Sequence, residues 1–186
     1  MKVINRLYFA RTLAAELDMT TQNCLKIVAV FIDVLSGALI EHKGIRLMGV
    51  GFLNVLKTKQ RLGRDLVRGG QVTIPSRYAV RLNEGSNGNE YLLFPELFNR
   101  MTTALPEFST KQYKVAYDVF LRLLESVVTG TNKVVLRGLG FFYPTFLKQK
   151  YVLDNLTGKY DRQVNNRIKI SFSCSKILLA QVNTPK

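Results

Sequence analysis

Two passages of this chain repeat each other at a spacing of 89 residues. Arg46-Leu47-Met48-Gly49-Val50-Gly51-Phe52 returns within Leu136-Arg137-Gly138-Leu139-Gly140-Phe141-Phe142, so Gly49 and Gly51 become Gly138 and Gly140. Upstream, Thr20-Thr21-Gln22 and a helical pattern through Val28, Phe31 and Leu35 return as Ser109-Thr110-Lys111, Tyr117, Phe120 and Leu124. Solenoid units repeat every 20–50 residues or so, so this longer period is that of a duplicated small domain. One fold has to explain both copies.

The 186 residues divide into two units of a size that can each bury a modest core. No uninterrupted apolar run approaches the roughly 20 residues of a membrane span. Arg6 and Arg11 interrupt any signal-like apolar stretch at the start, and no membrane partner is expected. Cys24 and Cys174 share no motif spacing and read as small apolar residues in a reducing compartment. Gly49-Val50-Gly51 lacks the third glycine and following helix of a nucleotide loop, so it reads as a turn. His42 is the single histidine and falls at a helix C-terminus, where it reads as a surface residue. No second histidine, acidic cluster or activated Ser or Cys completes a catalytic set. The pattern excludes an enzyme and calls for no cofactor or metal.

The net charge is +14, and its placement is uneven. Lys57, Lys59, Arg61, Arg64, Arg68, Arg77 and Arg81 stand in one segment with a single acid, Asp65. The matching stretch holds Lys148, Lys150, Lys159, Arg162, Arg167 and Lys169 against Asp154 and Asp161. Cations gathered in one element of each copy predict a surface for a polyanion.

Helical spacing predicts a helix over 4–17 (Leu7, Ala10, Leu13, Leu17), then a second carrying Leu25, Val28, Ile32, Leu35 and Leu39, capped by Thr20 or Thr21. Short β segments follow near 45–47 and 52–56. The basic segment with Gly63, Gly69 and Gly70 and the returning runs at 72–74 and 78–82 read as a long hairpin, too poor in apolar residues to bury a core of its own. Glu84-Gly85-Ser86-Asn87-Gly88-Asn89-Glu90 has linker composition. The second copy has a helix near 95–104 and a helix over 110–128 opened by the capping box Ser109-x-x-Gln112. Strands follow near 133–136 and 141–146, then an arm over 148–169, a strand at 168–172 and a terminal helix near 175–182. The units are set at 1–85 and 94–186 with a linker at 86–93.

This order, with G-x-G-F and the arm Arg61-Leu62-Gly63-Arg64-Asp65-Leu66-Val67-Arg68-Gly69 closing on Ile74-Pro75-Ser76-Arg77, resembles the HU and integration host factor family of DNA-bending proteins. The likeness is close over 4–85 and looser over 94–182. It implies an α+β fold in tandem: a helix pair, a small antiparallel sheet and a protruding basic β-arm in each copy. It also implies a double-stranded DNA partner, and self-pairing of two intertwined bodies, within one chain or between chains. In that family a proline near each arm tip wedges between base pairs. The position falls here on Leu66, and on Leu156 if Asp65-Leu66 matches Asn155-Leu156, or otherwise on Asn155. Leucine is apolar and can unstack a base step; an exposed tip residue or a protein contact is the plainer reading. The second arm has no counterpart of Pro75, and the terminal helix of the first copy gives way to the linker.

Two functions follow. The first is an architectural protein that binds duplex DNA non-specifically through both arms and bends it, in the cytoplasm on a nucleoid or phage genome. The alternative is a structural subunit of an assembly such as a tailed-phage virion, with other virion proteins as partners. The aromatic second copy (Tyr143, Phe146, Tyr151, Tyr160) and the replaced wedges favour the latter.

Overall fold

A computed structural model of the chain describes residues 2–64, 67, 69–86, 90–129, 132–148, 150–152, 162–164 and 166–184. The first copy runs β1 (Lys2–Asn5), α1 (Arg6–Leu17), α2 (Thr21–Ile40), β2 (Gly44–Leu47), β3 (Gly51–Thr58), β4 (Arg61–Arg64), β5 (Gln71–Ile74) and β6 (Arg77–Asn83). The second runs β7 (Tyr91–Leu92), α3 (Phe94–Ala104), α4 (Thr110–Val128), β8 (Asn132–Leu136), β9 (Gly140–Leu147), β10 (Lys150–Val152), β11 (Arg162–Val164), β12 (Arg167–Cys174) and α5 (Lys176–Val182). The α+β fold expected in tandem is present.

Side-chain caps set where most helices begin. Asn5 accepts the Tyr8 N–H at 3.0 Å to open α1, and Thr20 accepts that of Asn23 to open α2. Ser109 and Gln112 form the reciprocal capping box at α4. α2 is long and apolar enough to cross a membrane by length and composition. Here it is the core helix: Cys24, Ile27, Val28, Phe31, Ile32, Leu35, Ala38 and Leu39 are buried against the helices and sheet around it.

The first helix, expected from residue 4, begins instead at Arg6. Residues 2–5 are a strand, because Ile4 is buried in the sheet of the other copy. β1 pairs parallel with β8, Ile4 opposite Val134, and β7 pairs parallel with β2, Ile45 opposite Leu92. The copies thus exchange their first strands, giving sheets ordered β1-β8-β9-β12 and β6-β3-β2-β7. β7 falls inside the segment read as linker. Pairing of the two copies occurs within the one chain.

The core is continuous across the copies. Phe120 stacks on Phe9 at 6.0 Å and meets Phe31 edge-on at 5.2 Å, both from the other copy, and meets Phe142 at 5.9 Å. The Tyr117 hydroxyl on α4 donates to the Arg46 carbonyl at 3.1 Å and accepts the Met48 N–H, so it ties α4 to the turn after β2. Gly51 and Gly140 hold φ of +138° and +148°. A Cβ at either would fall 2.5 or 2.3 Å from the carbonyl of Asn83 or Ser173, which is why the glycine pair recurs.

Ion pairs clamp the copies together: Lys26–Glu107, Lys43–Glu96, Arg100–Glu41 and Arg122–Glu16. Arg100 holds the Glu41 carboxyl below the usual range, and Lys43, then Arg100, do the same for Glu96. Because the folded state binds these protons less readily, the pairs contribute fully above the unfolded carboxylate pKa of about 4.3 and lose their contribution as pH falls through the lower folded values. Both carboxylates are partly exposed, so solvent screens each pair and its contribution is small. The urea midpoint should hold from neutral pH to the unfolded value and then fall. Glu41→Gln with Glu96→Gln should make that acid limb shallower; an unaltered limb would count against the clamp.

Candidate nucleic-acid interface

Strand alternation sorts the side chains of each sheet into a face on the helices and an outer face. In the first sheet Ile45, Leu47, Leu53, Val55 and Val80 point into the core. By register, Arg46, Phe52, Asn54, Thr58, Arg77, Ala79 and Arg81 share the outer face. Asn54 is fully buried there because the chain after β6 crosses it: its Nδ2 donates to the Gly85 carbonyl at 3.2 Å, and the Tyr91 hydroxyl donates to its Oδ1 at 2.8 Å.

The first arm is hinged rather than continuous. β3 and β6 pair as far as Thr58 opposite Arg77, and β4 and β5 resume at Arg61 opposite Ile74. Lys59-Gln60 and Pro75-Ser76 form the break, where proline has no N–H to give a ladder. The Thr58 hydroxyl fastens the inner edge, donating to the Arg77 carbonyl at 2.8 Å and accepting its N–H. A concave surface opens at this hinge, lined by Thr58, Lys59, Arg61, Ile74, Arg77, Ala79 and Arg81. All four of its cations are exposed, and among the described residues no carboxylate pairs with any of them. The described acids that form ion pairs are spent on the clamp between copies.

Arg64 lies further out on β4, with Gly63 beneath Ile74. Lys57 stands apart from the group. It is on the opposite face of β3, 5.9 Å from the Tyr78 ring. Arg68, Leu66, Leu156 and Lys159 lie outside the described residues, and with them both expected wedges. In the second copy Arg167 and Lys169 occupy the outer face of β12, with Lys148 at the hinge. Lys150 and Arg162 belong to the paired backbone of the second arm, Lys150 opposite Val164 and Arg162 opposite Val152. β6 and β12 lie side by side, so the Arg77/Arg81 and Arg167/Lys169 rows flank one seam.

Two outer-face cations escaped the sequence reading: Arg46, over the Phe52 ring, and Lys133, 3.9 Å from the centroid of Phe141. The alternation Ile45-Arg46-Leu47 and Lys133-Val134 could have revealed them. His42, read as a surface residue, instead bonds through Nε2 to the Val182 carbonyl at 3.0 Å and stacks on Tyr78 at 4.1 Å, docking α5 on the first copy. Burial pushes the Cys174 thiol up to about 11 and raises that of Cys24, so both stay protonated near neutral pH. Among the described residues, no three His, Cys, Asp or Glu side chains gather into a metal site.

A tandem α+β body with exchanged strands and cationic arms defines a DNA-binding architecture. The family model for bacterial DNA-binding proteins matches the chain twice, over residues 4–92 and 95–183. The chain therefore belongs to that family, which holds HU and integration host factor. Integration host factor subunit alpha of Marinobacter nauticus is 28% identical over 85 residues, covering 46% of this chain and 85% of that protein. An Anabaena HU–DNA cocrystal structure aligns with a TM-score of 0.44 at 20% identity, covering 50% of this chain and 99% of that one.

Proposed function

We propose that the chain is an architectural DNA-binding protein that grips and bends duplex DNA without reading its sequence. The observation that carries this is the group of four exposed cations, Lys59, Arg61, Arg77 and Arg81, around the concavity at the first arm's hinge, which no carboxylate among the described residues pairs. Exposed cations without carboxylate partners suit phosphates, and binding of this kind responds to DNA shape and deformability. The remaining basic residues of both arms extend the contact, with Leu66 and Leu156 as wedges at the tips. The two binding units are taken as 1–85 and 94–186. Membership of a DNA-binding family supports the reading, as does the seam that brings the cation rows of β6 and β12 together.

Fluorescence anisotropy on a random-sequence duplex at two salt concentrations tests it. Binding should weaken steeply with salt, and end-labelled duplex should shorten in energy-transfer measurements. Binding that is absent or indifferent to salt would overturn the proposal. The composition of the second copy favours a second reading. Its outer face carries Phe141 and Tyr143, 5.5 Å apart, where the first has Phe52 and buried Asn54. That face suits contact with protein, as in a virion subunit. Ring-shaped multimers free of nucleic acid would support it.

A further inference from the structure

The two copies differ in one respect that leaves a built groove open. After β12 the chain forms α5, which packs on α2 and β6 of the first copy. Ser175 opens it, donating through Oγ to the Gly138 carbonyl at 2.7 Å. Leu178 and Val182, four residues apart, are fully buried. The far end is fixed by His42 and by Asn183, whose Oδ1 accepts the Tyr78 N–H at 2.7 Å and whose Nδ2 donates to the Tyr78 carbonyl at 3.0 Å. Among the described residues after β6 there is no such helix; the chain turns at Glu84 and Gly85 across the outer face of the first sheet.

The repeat maps the α5 seat onto a groove of about 390 Å³, where Val50, Leu82, Val128, Ile168 and Ile170 stand among Gly49, Asn83, Glu84 and Lys169. Val50 corresponds to Leu139, Val128 to Leu39 and Ile168 to Tyr78. Val128 is 41% exposed and its counterpart Leu39 is 0% exposed, covered in the α5 half of the molecule. The groove is continuous with the β6–β12 seam that joins the copies. Its charges are ordered: Glu84 stands at the end where the N-terminus of a helix seated like α5 would lie, and Lys169 flanks the other end. That order complements the dipole of an incoming helix.

We propose that this groove receives a short amphipathic helix from a partner protein. That helix has two aliphatic side chains four residues apart, a hydroxyl or carboxamide cap and a basic residue in its first turn, the chemistry α5 presents to the matching seat. A second copy's α5 is a poorer occupant, since filling this groove would empty its own.

The probe is a fluorescein-labelled peptide of residues 175–184, titrated into the full chain. One peptide should bind per chain with a Kd of about 0.01–1 mM. Val128→Asp, at a half-exposed position, should weaken binding at least about tenfold while the melting temperature stays put. A photo-crosslinking peptide should attach at Val128, Leu82 or Ile168 of the unaltered chain. Lack of saturable binding would overturn the proposal, as would crosslinks at Leu39 or Tyr78, which mark displacement of the resident helix. Concentration-dependent dimers blocked by Val128→Asp would do the same, since they assign the groove to a second copy. Duplex-binding measurements are separate, so this proposal and the DNA reading can fail independently.

Discussion

Alanine at Lys59, Arg61, Arg77 and Arg81 together should weaken duplex binding on the order of a thousandfold at 0.1 M salt and reduce the slope of log K against log salt by about 3.6. Each phosphate contact contributes about 0.9 to that slope, so four lost contacts remove the stated amount if each cation meets one phosphate. All four side chains are exposed, and the described ion pairs that hold the copies together lie elsewhere, so the melting temperature should change little. Alanine at Arg167 and Lys169 of the second copy removes two contacts and about 1.8 of slope. Measuring Kd at three or more salt concentrations for both variants separates the arms. Equal losses would contradict one phosphate per cation, and an unchanged slope in the quadruple variant would remove the hinge concavity from the interface.

Phe120→Ala should cost about 3–5 kcal/mol, the range for emptying a buried aromatic site. The ring is fully buried and touches Phe9 and Phe31 of one copy and Phe142 of the other, so either half would lose packing. Both copies should therefore unfold in one urea transition, in the variant as in the parent, with circular dichroism and tyrosine fluorescence coinciding. Two separated transitions would show that each copy holds a core of its own. A loss below about 1 kcal/mol would show that the site collapses around the missing ring.

The features legible in the sequence were local ones. Ser109-x-x-Gln112 marked the start of α4, and the repeat through Tyr117, Phe120 and Leu124 marked its inner face, because capping and helical period depend on neighbours within a turn. The hinge cations were visible as a charge run, and the glycine pair as a forced turn. What stayed hidden depends on distant partners. Lys2–Asn5 is too short to declare itself a strand until β8 lies beside it. Tyr91 looks like linker until its hydroxyl meets Asn54. His42 gains its role from Val182, 140 residues away. The split of the basic residues between faces, with Lys57 on one side and Arg77 and Arg81 on the other, needed the register of β3 and β6.

Joining the two halves in one chain has a genetic consequence. In an assembly of identical subunits, every substitution in an arm is made in both arms, so neither can specialise alone. Here the arm with Pro75 and the arm without a proline at that place answer to separate codons. Each can be tuned without altering the other, so the two sides of one molecule are free to differ in what they contact.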